Sequence, residues 1–194
     1  MTIKNKEIKE YDILIQSHID KKDFVKIYRK FKEKEENISG FILAISKDFL
    51  LLQVDNEFSY NGYAIMRKDQ FDSLRCNKYD KTQKKIYKAE GLLDNGYGID
   101  KNISLKSWQN IFKDLKLFDY HVIIECEDKE EPWFDIGPIK RVNKESVSIQ
   151  YYDPTGQLER KLTSRKFSDI TLVKFDDNYS KTFRKYLKPS KQSK

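Results

Sequence analysis

The sequence predicts a mainly β chain with helices, an α+β fold built from two tandem small, strongly bent antiparallel β-barrel repeats, each with a leading and a closing helix. Three observations carry that expectation. Val25 to Gln53 lies over Val122 to Gln150 without a gap at an offset of 97, with Val25/Val122, Ile27/Ile124, Lys32/Lys129, Glu33/Glu130, Gly40/Gly137, Ile42/Ile139, Lys47/Lys144 and Gln53/Gln150 identical. Tyr79 to Lys88 lies over Tyr179 to Lys188 at an offset of 100, with Tyr79, Lys81, Thr82, Lys85 and Lys88 recurring as Tyr179, Lys181, Thr182, Lys185 and Lys188. Strand signals recur about every 8 to 12 residues, the spacing of a small all-β unit.

The elements follow in order. Tyr11 to Ile19, with Tyr11, Leu14, Ile15 and His18 at helical spacing, reads as the first leading helix. Phe24 to Phe31, Ile38 to Ile45 and Phe49 to Val54 alternate as strands, with a tight turn at Ser46-Lys47-Asp48 and a bulge or sharp bend at Gly40. Asn61-Gly62 is a turn signal before a strand at Tyr63 to Arg67. In the second repeat Ser107 caps a helix from Trp108 to Leu117, whose Trp108, Ile111, Phe112 and Leu115 share one face. Strands are expected at His121 to Asp128, Phe134 to Val142, Ser146 to Tyr152 and Gln157 to Leu162, with Gly137 as the second bend and Tyr152 to Gly156 as a turn. The resulting domains are 8–90 and 107–188, joined by a linker at 91–106 and followed by a disordered basic tail at 189–194.

A helix followed by about five bent strands resembles the Sm-like small-barrel family. Ile38-Ser39-Gly40-Phe41-Ile42 is similar to the opening of that family's first motif, and Ile65-Met66-Arg67-Lys68-Asp69 to its second, with Lys68 where a glycine normally follows the arginine. No Asn occupies the strand position that usually lines the family's RNA pocket, and Ser164-Arg165-Lys166 stands near the second motif's place in the second repeat. The resemblance implies a fold and carries over neither RNA binding nor ring assembly.

Composition narrows the function classes. Charged residues make up 36% of the 194 positions and hydrophobic ones 38%, yet 12 Tyr, 12 Phe and 2 Trp provide the bulky groups a core requires. Apolar runs such as Phe49 to Leu52 fall far short of the roughly 20 residues of a membrane span, and the charged N-terminus lacks the features of a secretory signal, so a cytoplasmic protein with no membrane partner is expected. Cys76 and Cys126 sit in no metal-binding spacing and read as reduced structural thiols; His18 and His121 read as packed or exposed rather than ligands. No catalytic signature and no phosphate loop occurs, so neither an enzyme nor a cofactor is the leading expectation.

The net charge of +7 is unevenly placed. Residues 1–64 are neutral overall, 65–90 carry +4, 91–159 carry −5 and 160–194 carry +8. Basicity therefore concentrates in the two closing segments. As helices, Lys81, Lys84, Lys85 and Lys88 form one basic stripe that Lys181, Arg184, Lys185 and Lys188 repeat, a candidate footprint for an anionic ligand. The acidic run Glu125, Glu127, Asp128, Glu130 and Glu131 reads as a solvated strand edge, and Trp133 and Phe134 as core. The expected role is binding or scaffolding with a protein partner, with nucleic-acid (RNA) binding through the basic stripes as the alternative and an enzyme with an inter-domain cleft as the third.

Overall fold

The computed structural model describes residues 3–31 and 34–190, the side chains of 3–10 and 34 excepted. The repeat positions Lys32 and Glu33, and the tail from 191 onward, lie outside the described residues. The chain is mixed α+β and mostly antiparallel sheet. A leading helix α1 (Ile3–Asp20) precedes β1 (Phe24–Phe31), β2 (Lys34–Ile45), β3 (Phe49–Asp55), β4 (Tyr60–Arg67) and β5 (Phe71–Arg75), and α2 (Lys78–Ala89) closes the first half. The second half runs α3 (Trp108–Leu117), β6 (His121–Cys126), β7 (Trp133–Val142), β8 (Ser146–Ile149), β9 (Thr163–Lys166), β10 (Leu172–Phe175) and α4 (Asn178–Phe183).

Among the described residues ten strands join one sheet in the order β5-β1-β2-β3-β4-β10-β6-β7-β8-β9. The sheet does not close. Within each half the first strand pairs with both the second and the last, Ile27 facing Ile38 and Leu74, Ile124 facing Asp135 and Val173. The halves meet where β10 inserts beside β4, pairing Leu172 with Met66 and Phe175 with Tyr63. At this seam a Cβ on Gly62 stands 2.4 Å from the Phe175 carbonyl oxygen, so only glycine fits.

Registers repeat at the offset read from the sequence. Val25 pairs with Gly40 and Val122 with Gly137, while Ile42 and Ile139 pair with Leu52 and Ile149 before a bulge that both β2 and β7 carry. The helix-to-strand corners repeat too: Asp23 N–H donates to the His18 carbonyl and Tyr120 N–H to that of Leu115, both at 2.9 Å. Lys22 and Asp119 turn these corners with positive φ, 49° and 57°.

Caps explain where three helices begin. Asn77 Oδ1 accepts the Tyr79 N–H while Asp80 accepts that of Asn77, a reciprocal box that starts α2. Ser107 caps α3 and Asp177 caps α4. The apolar face predicted for α3 is buried in full, with Ile111, Phe112 and Leu115 at 0% exposure. These residues share a core with Phe49, Leu51 and Ile65 of the first half, so the two halves pack as one body. The 91–106 segment is held against the first half: Gln53 Nε2 donates to the Gly96 carbonyl at 2.6 Å, its Oε1 accepts from Gly98 N–H at 2.9 Å, and Ile103 enters the shared core.

Several expectations need correction. The fourth strand of the second half is Thr163–Lys166 rather than Gln157 to Leu162. After β8 a turn in which Asp153 gathers the N–H groups of Thr155 and Gln157 is closed by a single antiparallel bridge, Tyr152 to Leu158, and the continuous ladder on β8 is taken up only from Thr163. The second closing helix stops at Phe183. Beyond it, Lys188 N–H donates to the Gly156 carbonyl at 2.8 Å and the Lys188 carbonyl accepts from Leu158 N–H at 3.1 Å; the hairpin captures backbone groups that a longer helix would use. The acidic strand is no edge either, because β6 lies between β10 and β7, although Glu130 and Glu131 beyond it are exposed as expected. Glu125 pairs with Lys174 at 2.7 Å and Glu127 with Arg29. Phe134 is exposed, while Trp133 lies under the Arg165 guanidinium at 4.0 Å.

His121 supplies a pH test. It is buried, its Nδ1 has no hydrogen-bond partner, and desolvation, then the nearby Arg184, pushes its pKa down to about 4. The unfolded chain takes up this proton near pH 6.5, the folded chain only near 4, so stability is full above 6.5 and declines as pH falls toward 4. Urea titrations should show a loss of about 2 kcal/mol between pH 7 and pH 4.5 that His121→Gln removes; an equal loss in the variant contradicts the assignment.

Candidate functional site

A groove of about 1290 Å³ opens where the two halves meet. One wall comes from α1 and from the Lys68 to Gln70 turn linking β4 to β5; the other comes from the start of α3 and the corresponding turn at Phe167 to Asp169. The two repeat-matched lysines, Lys47 on the β2–β3 turn and Lys144 on the β7–β8 turn, both line it. Its floor is apolar: Ile15, Phe49, Phe71, Trp108 and Phe167 contribute, and the Phe49 and Trp108 rings meet edge-on at 4.8 Å.

The charged lining is mixed in sign, with five cations, Lys47, Arg67, Lys68, Lys106 and Lys144, against four carboxylates, Asp12, Asp48, Asp69 and Asp72. Some of these hold the walls in place. Lys68 Nζ bridges Asp12 at 2.6 Å and the Ser46 carbonyl at 3.2 Å, pinning α1 to the first half. Arg67 pairs with Asp69 and reaches the Ser168 carbonyl of the other half at 3.4 Å. On the opposite side Gln109 Nε2 donates to the Asn143 carbonyl at 3.0 Å, which ties α3 to the Lys144 turn. Lys47, Lys106 and Lys144 are exposed and make no ion pair among the described residues. The walls are thus braced internally while three cations face outward.

Chemically the lining suits recognition. Among the described lining residues there is no His or Cys, the Ser107 hydroxyl is engaged with Asn110, and that of Ser168 lies against Asp169 at 3.4 Å.

The sequence-predicted basic stripes lie away from this groove. Lys81, Lys85 and Lys88 are exposed on α2. Lys84 is instead spent within the fold, donating to the Lys21 carbonyl at 2.6 Å and to Asp23 at 2.8 Å. Its counterpart Arg184 does the same in the second half, donating to the Asp119 carbonyl at 3.1 Å and to the Asp119 carboxylate. Each closing segment thereby clamps the corner between its leading helix and first strand. Lys181 pairs with Asp176 at 3.7 Å, and Lys185 and Lys188 lie past the end of α4, so the second stripe is not a helical face.

Sequence reasoning did not find the groove residues, which are spread from Tyr11 to Ser168 and converge only through the β4–β10 seam. The one available signal was Lys47/Lys144 among the repeat identities. Compared with protein-family models, curated proteins and solved structures, the chain matches none. No described helix is long and apolar enough to cross a membrane.

Proposed function

We propose that the chain is a non-enzymatic binding or scaffolding protein, two small-barrel repeats similar to the Sm-like module and fused through one sheet, that holds a segment of a protein partner in the groove between them. A cytoplasmic setting, with Cys76 and Cys126 reduced, belongs to the same reading. The observation that carries it is the groove's lining: an apolar floor flanked by outward cations and by carboxylates. A nucleic-acid backbone presents negative charge but no apolar group to fill the floor over Trp108. A protein segment with acidic side chains on either side of an apolar residue satisfies Lys47, Lys106 and Lys144 while filling the floor over Trp108.

Peptide-display selection on the purified chain tests this. Selected sequences should carry Asp or Glu around an apolar anchor and lose about tenfold or more in affinity, some 1.4 kcal/mol, to Lys47→Glu/Lys144→Glu, whose exposed sites leave the melting transition in place. Peptides that bind the double variant equally well contradict the groove. Salt-dependent binding of generic RNA that is abolished by Lys81→Gln/Lys85→Gln/Lys88→Gln would move the function to the α2 stripe instead.

A further inference from the structure

Away from the groove, at the other end of α1, three side chains of metal-ligating type converge. His18 comes from the last turn of α1, Asp23 from the corner before β1, and Cys76 from the connection between β5 and α2. A ring nitrogen of His18, a carboxylate oxygen of Asp23 and Cys76 Sγ all lie within 4.8 Å of one another. His18 Nδ1 and Asp23 Oδ2 are 3.0 Å apart. The His18 and Asp23 side chains are only 14% and 18% exposed, and Cys76 is partly buried.

The second half shows that the fold itself does not call for such residues here. The matching corner carries Leu115 and Tyr120, and the residues leading into the matching helix cap are Phe175, which pairs with Val122, and Asp176. Tyr120 and Phe175 pack ring to ring at 5.1 Å. Aromatic rings with Asp176 beside them therefore fill this corner in one half, while a His, an Asp and a Cys occupy it in the other.

We propose that His18, Asp23 and Cys76 bind a thiophilic divalent cation of the zinc class, with three protein ligands and a fourth position open to water or an exogenous ligand. In a tetrahedral site with nitrogen and oxygen at about 2.0–2.1 Å and sulfur at about 2.3 Å, the nitrogen and oxygen stand about 3.3 Å apart and the sulfur about 3.6 Å from each. The His18–Asp23 separation is already within a few tenths of an ångström of that value, and Cys76 Sγ has about 1.2 Å at most to move. Binding replaces the His18–Asp23 hydrogen bond: the Nδ1 proton that makes it moves to Nε2 by exchange with solvent, and the Cys76 thiol proton leaves to solvent. The thiolate and the carboxylate together balance the two positive charges. Asp23 uses Oδ2 for the metal, since Oδ1 stays on Lys84, which fixes the carboxylate's orientation from outside the ligand set. The soft sulfur selects zinc or cobalt over magnesium and calcium.

Titration of the full reduced chain with Co²⁺ tests the site. One equivalent should produce thiolate-to-cobalt charge-transfer absorption and the strong visible bands of four-coordinate cobalt, and Zn²⁺ should displace it. Cys76→Ser should abolish the charge-transfer band, His18→Gln and Asp23→Asn should weaken binding at least about tenfold, and Cys126→Ser should leave the spectrum unchanged. Because Zn²⁺ binds only the folded site, it should also raise the melting temperature of the parent chain and not that of Cys76→Ser. A spectrum that stays that of six-coordinate aqueous cobalt at excess metal, or a charge-transfer band that survives Cys76→Ser, overturns the proposal.

Discussion

Replacing Glu127 with Gln is expected to destabilise the chain by about 3–5 kcal/mol, the cost of stranding a buried charge. Arg29 on β1 is 2% exposed, yet its guanidinium donates twice to Glu127 just beyond β6, at 2.7 and 2.6 Å. Glu127 also accepts from Thr171 Oγ1 at 2.8 Å, ahead of β10. The pair therefore reaches from the first half to both strands that carry the second half's side of the seam. Removing the carboxylate leaves Arg29, whose Nε already lacks a hydrogen-bond partner, uncompensated in the interior. Arg29→Met/Glu127→Leu should recover most of the loss, because two apolar side chains strand no charge. Guanidinium titrations of the two variants measure both effects; a Glu127→Gln chain as stable as the parent contradicts a buried inter-half clamp.

Gly40→Ala and Gly137→Ala are expected to be at least as severe, each costing more than about 4 kcal/mol. A Cβ on Gly40 stands 2.1 Å from the Gln53 carbonyl oxygen, and one on Gly137 stands 2.1 Å from that of Gln150. Backbone atoms on a paired strand have no room to retreat. Gly40 additionally has φ of +151°, a conformation that L side chains rarely adopt. Both glycines mark the point where the second strand of a half bends across the third, so either alanine forces that pairing apart. Thermal unfolding and soluble yield report this. Gly91→Ala is a useful comparison: it too has positive φ, 70°, but a Cβ there meets nothing nearer than 3.7 Å, so it should cost far less. If Gly40→Ala and Gly91→Ala melt alike, close backbone approach is not what selects glycine at the bend.

The strands were legible where alternation was strong. Phe24–Phe31 has its predicted bounds and the strand from His121 starts where expected, since their largely alternating burial leaves little choice of register, while the strand from Phe49 was readable as a continuous apolar run after a tight turn. The glycines at the bends could be read for the same reason. Short segments were less visible. β10 is four residues long and β9 has only polar and charged residues, Thr163 to Lys166, so neither carries an apolar period; each is a strand because a partner presents a free ladder. The basic stripes were readable as composition but not as use, because Lys84 and Arg184 are committed to corners that only the fold brings within reach. Nor does any spacing rule link His18, Asp23 and Cys76, or Arg29 and Glu127. These contacts span up to 98 positions and depend on the β1–β5 and β10–β6 pairings.

Hydrogen–deuterium exchange of the chain with and without a display-selected peptide tests groove binding most directly. Protection is expected on α1, the Lys47 turn, the Lys68 to Asp72 segment, the start of α3 and the Lys144 turn, with α2 unchanged. Protection that falls on α2 and α4 and leaves those groove segments exchanging as before would contradict it.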